Sequence, residues 1–169
     1  SCSLFKRTPV VTKERDFKEE CRSAREYITT YNFLKDHKDF RLNQQQVIEL
    51  SDKVSIGCSR ASSRFITTVE LLTKAGLDSK SAIKKGYELS QMSDEVADSF
   101  HTIFKYSFTQ SYLDLDVWQA MKMASSLSIP FQDSAEESEY NFKRLTKFCV
   151  SRDQLDFPKP QCAKLVELF

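Results

Sequence analysis

The sequence is short of the residues that make turns. Only three glycines and four prolines occur in 169 residues, too few for the many chain reversals of an all-β domain. No run approaches the roughly 18 consecutive apolar residues that a membrane-spanning helix needs. Neither sign of charge dominates: 25 basic and 24 acidic residues leave a net charge of +1. That balance gives no general attraction to nucleic acid or anionic lipid. Gly-rich phosphate loops are absent, and no cysteine pair has the close spacing of a zinc site. There are two histidines. His37 reads as a solvated helix-end residue and His101 as a half-buried one, and no nucleophile signature lies beside either. No catalytic residue, cofactor or metal is therefore assigned.

What the chain does contain is repeated amphipathic periodicity. Shifted by 35 residues, Leu42, Leu77 and Tyr112 align, as do Val47, Ala82 and Val117, then Ile48, Ile83 and Trp118. Val54, Leu89 and Ala124 follow, with Ser55, Ser90 and Ser125. Positions 47, 51, 54 and 55 share one helix face. A period in the mid-thirties holds two helices and two short turns, and in that spacing the chain resembles tetratricopeptide and HEAT-type arrays as an architecture. The tetratricopeptide residue pattern itself is not matched. The expected fold is all-α, with about eight helices in antiparallel pairs. They would form a short α-solenoid of helix-hairpin repeats with capping helices. This alignment sends Trp118 to the core beside Ile48 and Ile83. It also places Met121 where the earlier repeats have the small residues Ser51 and Gly86.

Residues 1–11 read as an N-terminal arm or tether, and 12–169 as one all-α domain. The first helix is expected from about Thr12, with Phe17, Cys21, Ala24, Ile28, Tyr31 and Leu34 on its apolar stripe. Asn43 and Gln46 have capping-box spacing for a helix that runs to Ile56, with Gly57 as its stop. Asp78 and Ser93 cap later helices, and Asp114 or Asp116 opens another that ends at Ile129-Pro130. Ser134 and Glu137 have the spacing of a second capping box. Pro160 suits the first turn of the last helix. Acidic clusters at Asp94, Glu95 and Asp98, and at Asp133, Glu136, Glu137 and Glu139, fall at helix starts, where they offset the helix macrodipole.

The five cysteines bear on compartment. Ser1-Cys2 resembles the cleavage junction of bacterial lipoproteins, which marks Cys2 as a candidate lipid anchor. The even remainder predicts two disulfides in an exported protein, Cys149–Cys162 and Cys21–Cys58. The location expected is periplasmic, with a membrane tether through Cys2. The alternative is a cytoplasmic protein with reduced thiols.

The sequence thus points to a non-catalytic interaction or scaffold domain of a bacterial envelope, with a protein or peptide partner. A cytosolic helical adaptor and a small helical enzyme using His101 are the alternatives. Phe100, Phe104 and Phe108 form a ridge that core packing would absorb. The contact residues expected are Met123, Phe108, Tyr112 and Phe131.

Overall fold

The computed structural model describes residues 21–169. Cys2, the arm 1–11 and the helix start near Thr12 lie outside the described residues. Among those described the chain is helical, without strands, and eight α-helices follow one another. They are α1 (Ala24–Asp36), α2 (Gln44–Ser55), α3 (Ala61–Lys74), α4 (Ser79–Ser90), α5 (Asp94–Phe108), α6 (Val117–Ser128), α7 (Ala135–Val150) and α8 (Lys159–Glu167). None is long and apolar enough to cross a membrane. The chain divides into two compact units, one holding α1 to α4 and the other α5 to α8. Within the first, α1 packs on α2 and α3 on α4; within the second, α5 packs on α6 and α7 on α8.

Polar side chains set most of the helix starts. Asn43 accepts a hydrogen bond from the Gln46 amide at 2.8 Å, and the Gln46 side chain accepts one from the Asn43 amide at 2.9 Å. Asp116 and Gln119 repeat this reciprocal box at the head of α6. Asp78 accepts from the Ser81 amide at 2.9 Å, and these Ser81 hydrogen bonds hold its carboxyl below the usual carboxylate range. The box expected at Ser134 and Glu137 does not form. Ser134 has φ −143° and ψ 31°, outside the extended region that aims a capping hydroxyl at the first turn. Its amide instead closes a turn onto the Phe131 carbonyl.

The four hairpins turn in the same way. Arg41, Gly76, Asp114 and Asp156 all have left-handed backbone, at φ 57°, 101°, 53° and 50°. In every case an apolar residue follows, Leu42, Leu77, Leu115 or Phe157, and then the residue that starts the next helix. Only glycine adopts such a φ without steric cost, so three of these turns hold a non-glycine residue in a conformation costing about 1 kcal/mol or more. The last two turns also share their hydrogen bonds. Leu115 and Phe157 donate to the carbonyls of Ser107 and Cys149, and Asp114 and Asp156 donate to Thr109 and Ser151.

These turns give the true register of the repeat. Buried Val47, Ser51, Val54 and Ser55 of α2 recur as Ala82, Gly86, Leu89 and Ser90 of α4 at the expected shift of 35. In α6 the equivalent set is Ala120, Ala124, Leu127 and Ser128, a further 38 residues along. The extra residues lie in the connection between α5 and α6. Phe100 and Ala124 stand 24 residues apart, against 21 for Phe65 and Gly86. Trp118 is consequently not a core residue: it is 54% exposed, and Met121 takes the half-buried position of Ile48 and Ile83. The other helices repeat as well. Ala61, Ser62, Arg64, Phe65, Thr68, Val69 and Leu72 of α3 are all buried, and so are all seven residues 35 positions later in α5.

Small residues at 51, 86 and 124 let paired helices approach closely. A Cβ on Gly86 would lie 2.6 Å from Val69 Cγ2 and 3.1 Å from the Phe65 carbonyl oxygen. Val69 is fully buried and stiff at χ1, and the carbonyl belongs to a helix, so neither can retreat cheaply.

Two buried charges close the ends of the first unit's helices. Glu26 Oε1 accepts from the Ser62 amide and the Ser62 hydroxyl, both at 2.7 Å, and so caps α3 from α1. Arg64 donates to the carbonyls of Ser59 at 3.0 Å, Ser90 at 2.9 Å and Gly57 at 3.3 Å, tying the end of α4 to the α2–α3 turn. In the second unit, the residue at the position of Arg64 is Ser99, whose hydroxyl donates to Glu139 at 3.0 Å.

The Gly86 contact makes a direct prediction. Gly86→Ala should destabilise the protein by roughly 1–2 kcal/mol, although alanine is the better helix former by about 1 kcal/mol. Urea denaturation of the two proteins measures the difference.

Candidate functional site

A cleft of about 810 Å³ lies on the last hairpin. One face of α7 supplies Tyr140, Arg144, Lys147 and Phe148, at helical spacing i, i+4, i+7 and i+8. Ser151 and Gln154 come from the following turn, and Phe169 follows α8. Tyr140 is 55% exposed, Phe148 44% and Phe169 69%, so aromatic surface lies open at both sides of the groove. The turn is held against α7 by the Leu155 amide, which donates to the Phe148 carbonyl at 3.2 Å, and by the Phe157 amide, which donates to Cys149 at 2.9 Å. The Cys149–Cys162 disulfide joins α7 to α8 beneath it.

The charged side chains of the groove are of one sign. Arg144 Nη1 donates to the Tyr140 hydroxyl at 2.6 Å, with its guanidinium 5.4 Å from that ring's centroid. Lys147 Nζ stands 5.8 Å from the centroid of the Tyr106 ring. Among the described residues, no acidic side chain lines the groove. On the other side of Tyr140 a smaller cleft of about 360 Å³ carries the opposite charge, from Glu95, Asp98, Glu136 and Glu139. The fold thus gathers carboxylates from two helix starts into one place. Among the described residues they do not form a group suited to a metal ion.

The four expected contact residues differ in their exposure. Met123 is core, 3% exposed on the inner face of α6, because the register shift moves it to a buried position. Phe108 is exposed, at 36%, and stacks on buried Phe104. Tyr112 is half-buried and stacks on Tyr106, their centroids 4.3 Å apart. Phe131 is half-buried in the α6–α7 turn. The groove residues Tyr140, Arg144 and Phe148 were legible only as helix-face spacing. Their tie to Gln154 and Phe169 depends on the final turn.

Cys149 and Cys162 are joined as expected, closing a segment with a sequence separation of 13. The second expected bridge is not formed. Cys21 and Cys58 are free thiols; Cys58 donates to the Ile56 carbonyl at 3.4 Å, and burial followed by the neighbouring Cys21 pushes its thiol up to about 11.

The histidines are packed rather than solvated. His37 packs in a three-ring cluster with Phe33 and Phe40, with centroids 4.3 and 4.9 Å away, and its Nδ1 lies 2.7 Å from the Phe33 carbonyl. His101 is buried in α5 beside Phe100. Burial, followed by the charge of Lys105, pushes its pKa down to about 4, so it is neutral at physiological pH.

No protein-family model matches the sequence, and neither the curated proteins nor the solved structures contain a match.

His101 and the disulfide each make stability measurable. The folded state holds His101 neutral, so below the ordinary histidine pKa the unfolded chain binds the proton more readily. Stability is therefore fully present above pH 6.5 and falls as the pH drops toward about 4, by roughly 3 kcal/mol in all. His101→Gln should flatten urea midpoints across that window. Replacing Cys149 and Cys162 together by serine should cost about 3 kcal/mol, from the lost constraint on the unfolded chain. Thermal unfolding under non-reducing conditions reads that loss.

Proposed function

We propose that this protein is a non-catalytic interaction module whose last hairpin receives an amphipathic helix from a partner protein. The observation that carries this reading is the basic, aromatic groove along α7. One hairpin earlier, Tyr106 occupies the position of Phe148, 42 residues before it, just as Phe100 precedes Phe142 and Ser107 precedes Cys149. Tyr106 is covered by the next helix of its own unit: Phe142 meets its ring edge-on at 6.2 Å, and Lys147 lies over it. Phe148 is the same kind of position with its ring 44% exposed. A partner helix would lie against Phe148 as α7 lies against Tyr106, with an apolar stripe on the aromatics. Acidic residues beside that stripe would face Arg144 and Lys147.

The compartment we propose is an oxidising one, the bacterial envelope, with Cys2 as the tether. Support comes from the Cys149–Cys162 bridge. The free thiols Cys21 and Cys58 favour the second reading, a reduced cytoplasmic adaptor.

A photo-crosslinking amino acid at Phe148 in the native host tests the interaction, with exposed Glu70 of α3 as the control position. The expected result is a crosslink to an acidic amphipathic helix, lost at least tenfold when Arg144 and Lys147 are both changed to glutamate. Equal crosslinking at both positions would remove the proposal. Mass spectrometry of unreduced peptides from the same cells separates the compartments. A lipid mass on Cys2 with Cys149–Cys162 closed supports the envelope, and reduced Cys149 and Cys162 support the cytoplasm.

A further inference from the structure

Independently of the groove, we infer that Cys21 and Cys58 form a reversible thiol–disulfide site that exchanges with small-molecule disulfides of the glutathione type. The two thiols are brought together by a corner of the first unit pinned at three points. Arg22 meets the Asp52 carboxylate at 2.5 Å, the Ser23 amide donates to the Ser55 carbonyl at 3.3 Å, and Glu26 caps Ser62. The segment leading into α1, which carries Cys21, is thereby held against the end of α2. The Cys58 amide donates to the same Ser55 carbonyl at 3.2 Å, so the Ser23 and Cys58 backbones converge on one oxygen. Both cysteines are half-exposed, so a small disulfide can reach them. Cys149 and Cys162 form the contrasting pair, fully buried and already joined.

Burial, and then the neighbouring Cys21, push the Cys58 thiol up to about 11. Both thiols are free and either can open the exchange. When Cys21 does so, it attacks one sulfur of glutathione disulfide. The glutathione S–S bond breaks, a mixed disulfide forms on Cys21, and the proton of Cys21 leaves with the first glutathione thiol. Cys58 then attacks the Cys21 sulfur, the mixed disulfide breaks, and its proton leaves with the second glutathione. Two electrons have passed from the protein thiols to one glutathione disulfide, which yields two glutathione thiols. The product covalently fastens the entry of α1 to the α2–α3 turn.

The experiment is equilibration of the full chain in glutathione buffers of graded ratio, followed by acid quench, alkylation and peptide mass spectrometry. The expected result is a Cys21–Cys58 link that rises from a tenth to nine-tenths over about a hundred-fold range of the ratio of squared reduced to oxidised glutathione. Cys149–Cys162 should stay closed throughout. In Cys58→Ser, glutathione should be retained on Cys21 as a mixed disulfide, and in Cys21→Ser on Cys58. Circular dichroism establishes that both variants are folded, and the titration of the unaltered chain stands without them. Two results overturn the inference: both thiols alkylated equally at every ratio, or a Cys21–Cys58 link as resistant to excess reductant as Cys149–Cys162.

Discussion

The closeness of paired helices is the constraint on which the rest depends. At positions 51, 86 and 124 the chain carries Ser, Gly and Ala, each buried on the inner face of the second helix of a hairpin. At Gly86 there is no room for even one more carbon. Such proximity lets Phe65 and Val69 be fully buried. It also fixes rotation, because a helix with one small position can present only that face to its partner. The last hairpin departs from this arrangement. Val166 stands in the small-residue position, and Cys149 and Cys162 hold the places that Leu72 and Ala82 hold in α3 and α4. A covalent bond stands where the earlier hairpin has apolar side chains.

The first unit uses its buried charges to finish helix ends that the sequence leaves uncapped locally. Nothing near Ala61 in the chain resembles the boxes at Asn43 and Asp116, and the missing acceptor arrives from Glu26, 36 residues away. Arg64 does the converse for the carbonyls of Gly57, Ser59 and Ser90. A buried ion that is hydrogen-bonded is tolerable, whereas removing its partners would leave an expensive unsolvated charge. The side chains that define this corner are therefore the ones that most strongly dictate where α1 must lie.

Local features were legible in the sequence and distant ones were not. The capping box at Asn43 and Gln46 and the all-helical class could be read because their cause lies within a few residues. The Cys149–Cys162 pairing could be read because only one short turn separates the two. Trp118 and Met123 depart from their expected places for a single reason. Three residues added before α6 rotate every later position against the expected repeat, and apolar spacing alone cannot detect such an insertion. The left-handed turns at Arg41, Gly76, Asp114 and Asp156 would have detected it, since Leu113-Asp114-Leu115 and Leu155-Asp156-Phe157 are near copies of one another. The groove was beyond reach because it joins the face of α7 to Gln154 and Phe169, which share no periodicity with it.

The recurrent turn carries a consequence for how such a chain can change in length. Each hairpin ends its connection with the same clasp, a left-handed residue, an apolar residue and a helix start, whatever precedes it. The clasp sets the angle at which the second helix leaves, so residues inserted upstream are absorbed before that angle is decided. The connection between α5 and α6 has accepted three additional residues, and the one between α7 and α8 preserves the same longer form. The inner face of α6 nevertheless keeps the pattern of α2 and α4, and Cys162 and Val166 of α8 keep its first two positions. Length is thus a free variable in this architecture and orientation is not, which leaves the connections as the places where new surface can be added without re-forming a core.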